Sequence, residues 1–211
     1  MEKKHWFFNF LTFIAGLINI FAIYYIGAPV THHTGNLTQV MFRHSQNDWN
    51  LLIVFLLAIF LFFLGAFVDG LLFEGLDFNR QGARTVLRLL FLGFLCLGIL
   101  DYLGKGEKAF LLFAPFALGM QNAIVLRQDG CVVRTTHMTG YLTDAGYLLG
   151  QWVKGVAKER KRIRLFLQGI FFFFLGGVFF VPLSFLFPAP FYYLFLISLL
   201  YFIALGFLKK K

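Results

Sequence analysis

Two short segments hold the residues best suited to chemistry. Thr31-His32-His33-Thr34-Gly35-Asn36-Leu37-Thr38 and Thr136-His137-Met138-Thr139-Gly140-Tyr141-Leu142-Thr143 both read T-H-x-T-G-x-L-T, 105 positions apart. Each sets an imidazole, hydroxyls and a glycine side by side. Histidine changes charge near neutral pH, so His32 and His137 are candidates for carrying a proton or for half of a metal site. A metal would lack further ligands, because no H-x-x-x-H spacing, Cys or Glu stands nearby. The plainer reading of each is a polar residue at a membrane boundary. No metal and no other cofactor is expected.

The glycines and prolines around these segments suggest what positions them. Gly27, Pro29 and Thr34-Gly35 cannot continue a regular helix, because Gly costs backbone entropy and Pro removes a donor. The chain is expected to unwind there and to restart a helix at Thr34 or Asn36, with a hydroxyl or amide as N-cap. Gln128-Asp129-Gly130 breaks the second copy in the same way, with a restart near Thr139. The stretch 143–153 that follows is apolar enough to dip into a bilayer. A helix start offers free N–H groups and a positive dipole end, which favour an anion or carboxylate. The candidate solute-binding set is therefore Asn19, His32, Thr34, Gly35, Asn36 and Thr38, with Asn122, His137, Thr139, Gly140 and Thr143. Asp69 and Asp144 are candidates for ion or proton coupling. The same residues also read as caps, close packing and interhelical hydrogen bonds. Asp69 then becomes a boundary charge paired with Arg80 or Arg84, and Asp144 a favourable charge on a helix dipole.

Composition says where these segments sit. The chain has 211 residues, 59% hydrophobic and 14% charged, where a soluble domain carries roughly 25% charged. That excludes an ordinary soluble domain, a disordered chain and a nucleic-acid-binding module. Six stretches approach the ~20 apolar residues that a membrane span needs: 6–28, 51–73, 85–103, 109–126, 164–187 and 190–208. The first is too long for a signal-peptide core and is read as an uncleaved span. The fourth is short and holds Gln121 and Asn122. With the N-terminus inside, 16 of the 19 Lys and Arg fall on the inner side. Only Arg43, Lys105 and Lys108 fall outside. Cytoplasmic loops hold the Lys/Arg excess, so both termini are placed in the cytoplasm, and the net charge of +9 needs no nucleic acid to explain it. The two cysteines, Cys96 and Cys131, are read as structural.

The repeat extends beyond the two segments. Gly16-Leu17-Ile18-Asn19 matches Gly119-Met120-Gln121-Asn122, and Phe62-Phe63-Leu64-Gly65 matches Phe173-Phe174-Leu175-Gly176, in the same order and at similar offsets. The expected fold is an all-α polytopic membrane protein of about six transmembrane helices. It divides into two three-helix repeats, 1–105 and 106–211. Three spans per repeat turn the second upside down, the arrangement found in many secondary transporters.

The G-x-x-N and T-H-x-T-G-N-L-T segments, with Ala117-Leu118-Gly119-Met120-Gln121-Asn122-Ala123 before Arg134–Thr143, resemble the YoaK family of small bacterial membrane proteins. The resemblance covers nearly the whole chain. It implies a multi-pass protein of the bacterial inner (cytoplasmic) membrane with about six spans, and it brings no particular activity. Asn19 stands where many members have Asp, and His33 where Met is usual.

The function expected is a secondary transporter or channel-like permease for a small solute, anionic by the helix-start argument, bound near the bilayer midplane between the repeats. A membrane-embedded enzyme is the alternative, but it would need a nucleophile and base at diagnostic spacing. A structural or regulatory membrane protein is the third reading. No G-x-x-x-x-G-K-[ST] loop is present to hold a nucleotide. The partners expected are membrane lipids, the solute and a second copy in a homodimer, and not nucleic acid.

Overall fold

A computed structural model describes residues 2–73, 78–124, 126–128, 131–156 and 159–208. Eight helices and one small hairpin are found among them: α1 (Glu2–Ile26), α2 (His33–Ser45), α3 (Trp49–Leu72), α4 (Arg80–Tyr102), α5 (Gly106–Ala123), β1 (Leu126–Gln128), β2 (Cys131–Val133), α6 (Met138–Val153), α7 (Arg160–Leu186) and α8 (Pro190–Phe207).

Five helices are long and apolar enough to cross a bilayer: 4–26, 49–72, 80–102, 160–186 and 190–207. They match five of the six expected stretches to within a few residues. The fourth stretch becomes α5, 18 residues with Glu107, Lys108, Gln121 and Asn122, and it does not meet that standard. Its surroundings explain why polar residues are tolerated. Phe110, Ala114, Ala117, Leu118 and Gln121 are all fully buried, against α3, α4 and α1. A helix that faces protein has no need of a lipid-compatible surface. α1 is buried similarly, with Leu11, Ile14, Leu17, Ile18 and Phe21 sealed from every side. α3 and α7 instead present bare aromatics such as Phe60, Phe63, Phe171 and Phe174, a surface suited to lipid tails.

The helix contacts form a matched set. If α1–α4 are exchanged with α5–α8, then α1·α7 becomes α5·α3, α2·α3 becomes α6·α7, and α1·α8 becomes α5·α4. The pairs α4·α8 and α1·α5 map onto themselves. The repeated glycines make the first of these pairs. A Cβ on Gly16 would strike the Phe173 carbonyl, and one on Gly176 the Phe13 carbonyl. A Cβ on Gly119 would strike the Phe62 carbonyl, and one on Gly65 the Phe116 carbonyl. The G-x-x-N motif of each half therefore packs on the F-F-L-G motif of the other, backbone against backbone. Close approach of this kind is how small residues hold helices together where lipid removes the hydrophobic driving force.

Candidate functional site

α1 ends at Gly27, whose φ of 71° is open to glycine and strained for other residues. The chain then doubles back along α1. The Asn19 carboxamide oxygen accepts from the backbone N–H of Val30 at 3.1 Å, from that of Thr31 at 3.1 Å and from the Thr31 hydroxyl at 2.8 Å. Asn19 lies seven residues before the end of α1, so the returning segment reaches about 10 Å back along the helix at 1.5 Å per residue. α2 starts from that depth. Asn36, fully buried, donates from its side-chain nitrogen to the Pro29 carbonyl at 2.8 Å and fastens the helix start to the returning segment.

The second copy uses the same fastening. The Asn122 carboxamide oxygen accepts from the Thr136 N–H at 3.1 Å, and Thr136 is the counterpart of Thr31. Further bonds secure this half. Gln121 donates to the Leu11 carbonyl and the Thr135 hydroxyl, both at 3.0 Å, and accepts from the Tyr201 hydroxyl at 2.6 Å. The Tyr141 hydroxyl takes both the N–H and the carbonyl of Arg134. In each fastening the asparagine side chain acts as an acceptor. A carboxylate at position 19 could accept the same bonds.

The helix starts differ from expectation in one respect. The N-cap residues are His32 and His137, and neither makes a side-chain cap bond. Each ring instead lies over the glycine three residues on. A Cβ on Gly35 would meet His32 Nδ1 at 2.9 Å, and one on Gly140 would meet His137 Nε2 at 2.5 Å. The repeated T-H-x-T-G thus uses glycine to make room for the histidine ring on the first turn. The threonines serve the helices: Thr38 donates to the Thr34 carbonyl at 3.3 Å and Thr143 to the Thr139 carbonyl at 3.2 Å.

A cavity of about 610 Å³ opens where the two returning segments meet. Pro29, Thr31 and His32 line it from the first half, and Thr136, Met138, Thr139 and Leu142 from the second. Gly16, Asn19, Ile20 and Ile23 of α1 form one wall, and Ile170, Phe173, Phe174, Gly177, Val178 and Val181 of α7 the other. Of the residues singled out from the sequence, Asn19, His32 and Thr139 stand on this cavity. His137, Gly140 and Asp144 line a second one of about 390 Å³, with Cys131, Val132, Arg134, Tyr141, Arg162 and Phe166. There Arg162 Nε donates to Cys131 Sγ at 2.9 Å. Thr34, Gly35, Asn36, Thr38, Asn122, Thr143 and Asp69 line neither cavity. Asp69 is half-buried on α3 with one oxygen unpartnered. Arg84, expected as its partner, donates to the Leu208 carbonyl.

Three features escaped sequence reasoning. The cavity walls at Pro29, Met138 and Leu142 had no polar marker to betray them. Tyr141, the anchor of the second fastening, differs from its counterpart Asn36 and so was not noticed as part of the repeat. The hairpin of β1 and β2 did have a signal: Asp-Gly, here Asp129-Gly130, is a favoured two-residue hairpin turn. Those two residues lie outside the described ones.

A family model described as a protein of unknown function, DUF1275, matches residues 7–207. The chain belongs to the DUF1275 family. No curated protein and no solved structure matches it. The match runs from the start of α1 to the end of α8, so the whole helical assembly is the family's unit.

Proposed function

We propose that this DUF1275 protein is a permease, a secondary transporter or channel-like protein, that passes a small solute across the bacterial inner membrane. It is read as a YoaK-like member with both termini in the cytoplasm, in keeping with its Lys and Arg distribution. Residues 1–105 and 106–211 are read as two inverted three-span repeats, with α5 as the sixth span and α2 and α6 as half-helices entering from opposite sides. The matched helix contacts and paired glycine crossings support that reading.

One observation carries the function. Two helices start where the chain returns to an asparagine of the preceding helix, Asn19 seven residues before the end of α1 and Asn122 one residue before the end of α5, and both returning segments line one cavity of about 610 Å³. Non-helical backbone at membrane depth persists where it lines a cavity or is buried in protein. Helix starts there direct N–H groups and positive dipole ends at the contents. The cavity suits a small solute with an anionic or hydrogen-bond-accepting group and an apolar remainder, because α1 and α7 supply mostly aliphatic and aromatic walls. The test is uptake by purified protein in liposomes against a panel of small anions, metabolites and cations. Gly35→Val and Gly140→Val should abolish uptake while the protein still folds, because each pushes a histidine ring off its helix start. Full uptake by both folded variants overturns the assignment.

A further inference from the structure

α2 is amphipathic in the reverse of the soluble sense. Leu37, Met41 and Phe42 are exposed on its outer side. His33, Asn36, Gln39 and Arg43 fall at helical spacings of three, three and four, on one side, and are turned inward. That side packs on α3, with the His33 ring 4.1 Å from the ring of Phe62. Arg43 reaches Asp48 with one terminal nitrogen at 3.4 Å, but much of the face is unsatisfied. Both ring nitrogens of His33, Oδ1 of Asn36, Oε1 of Gln39 and Nε of Arg43 are buried without a hydrogen-bond partner. Native proteins rarely leave such atoms unpaired, and a row of them needs an explanation.

The second copy shows that the fold does not require them. The counterparts of His33, Asn36, Gln39 and Arg43 on α6 are Met138, Tyr141, Asp144 and Leu148. Tyr141 and Leu148 are buried, and the Tyr141 hydroxyl is satisfied by Arg134. Asp144 is exposed. The helix after the second returning segment is thus seated with its buried hydroxyl paired, and the helix after the first is not. α2 has α3 as its one substantial partner among the described helices, just as α6 has α7. α2 hangs between Gly27 and Asn47, both at positive φ.

We propose that α2 is the mobile gate of the permeation route and α6 its fixed counterpart. In the closed position the polar face of α2 lies dry on α3. In the open position α2 leaves that seat and His33, Asn36, Gln39 and Arg43 become wet, lining an aqueous path toward the cavity at His32. The mixture of donors and acceptors on this face suits water and a hydrated small solute, where a purely anionic ligand would meet two carbonyl oxygens. This proposal rests on the permease reading for its purpose, and its test does not use transport.

The test is the reactivity of a cysteine on the polar face with a charged, membrane-impermeant thiol reagent added to the outside of liposomes, over the labelling of the parent chain. His33→Cys should react, and Leu37→Cys and Met41→Cys on the lipid side should not. Gln39→Leu makes the seat on α3 comfortable and keeps the Asn36 bond to the Pro29 carbonyl. In that background His33→Cys should react slower by about tenfold or more, as the open population falls, and the thermal midpoint should rise. An unreactive His33→Cys overturns the gate. So does reactivity that this leucine leaves unchanged, or a thermal midpoint that it lowers. Labelling as expected with no solute passing in the uptake panel keeps the gate and removes the permease.

Discussion

Replacing Gly16 by Ala tests the packing on which the cavity walls depend. α1 and α7 meet at Gly16, where an added Cβ would strike the Phe173 carbonyl oxygen and lie 2.8 Å from its carbon and 3.1 Å from the Phe173 Cα. Carbon atoms prefer about 3.5–4.0 Å, so the helices must part by roughly 1 Å at the crossing. The obstruction is backbone, which cannot rotate aside as a side chain can. Overpacking of a tight core typically costs about 1–3 kcal/mol, and separating the backbones weakens the Gly176 contact with Phe13 as well. Against this, Ala gains up to about 1 kcal/mol of helix propensity over Gly. Because the obstruction is backbone, the upper part of the overpacking range, about 2–3 kcal/mol, applies, and a net loss of about 1–2 kcal/mol follows, or about 2–8 °C in thermal midpoint for a chain of this size. Gly146, Gly150 and Gly206 have nothing within 4 Å of an added Cβ, so Ala there should be neutral or stabilising. Gly176→Ala shares the crossing and should combine non-additively with Gly16→Ala, while Gly119→Ala, at the α3·α5 crossing, should add. Thermal unfolding of purified variants in detergent decides it. Equal midpoints for Gly16→Ala and Gly146→Ala would refute the close backbone crossing.

Asn19→Leu leaves two backbone N–H groups and a hydroxyl unpaired at membrane depth and should destabilise by about 2–4 kcal/mol, while Asn19→Asp keeps the acceptor and should fold with uptake retained. Asn122→Leu loses one such bond against three and should cost about a third as much, so equal losses at the two sites would count against the bonding described. Gly35→Ala should displace the His32 ring and lower uptake severalfold with little change in thermal midpoint; an unaltered uptake would detach His32 from the path. Reporter fusions at Gln46 and Lys158 should report opposite sides of the membrane, and the same side would remove the inverted repeat.

The sequence was most legible where one rule governed the outcome. Long apolar runs appear as α1, α3, α4, α7 and α8 because hydrocarbon admits little else at that length. The break after α1 was legible from Gly27 and Pro29, while Thr34-Gly35, expected to be unable to continue a helix, lies in the first turn of α2. What those polar residues bond to was hidden. Asn19 and Asn122 look identical whether they face a solute or a returning backbone, and only coordinates reveal the acceptor role. Thr38 and Thr143 stand among the expected site residues because both halves repeat them at matching positions. Threonine can satisfy itself on the carbonyl four residues back, and both do. The inward polar face of α2 was hidden because nothing in the sequence says that α3 covers His33, Asn36, Gln39 and Arg43.

The central claim is that a solute passes the cavity where the two returning segments meet. The most direct measurement is solute flux into liposomes carrying the His32→Cys protein, before and after a charged thiol reagent. The account predicts that at least one small solute enters faster than into protein-free liposomes and that the reagent stops it, leaving wild-type flux untouched. Flux that continues unchanged after complete modification of Cys at position 32, or no flux of any solute in the panel, would contradict it.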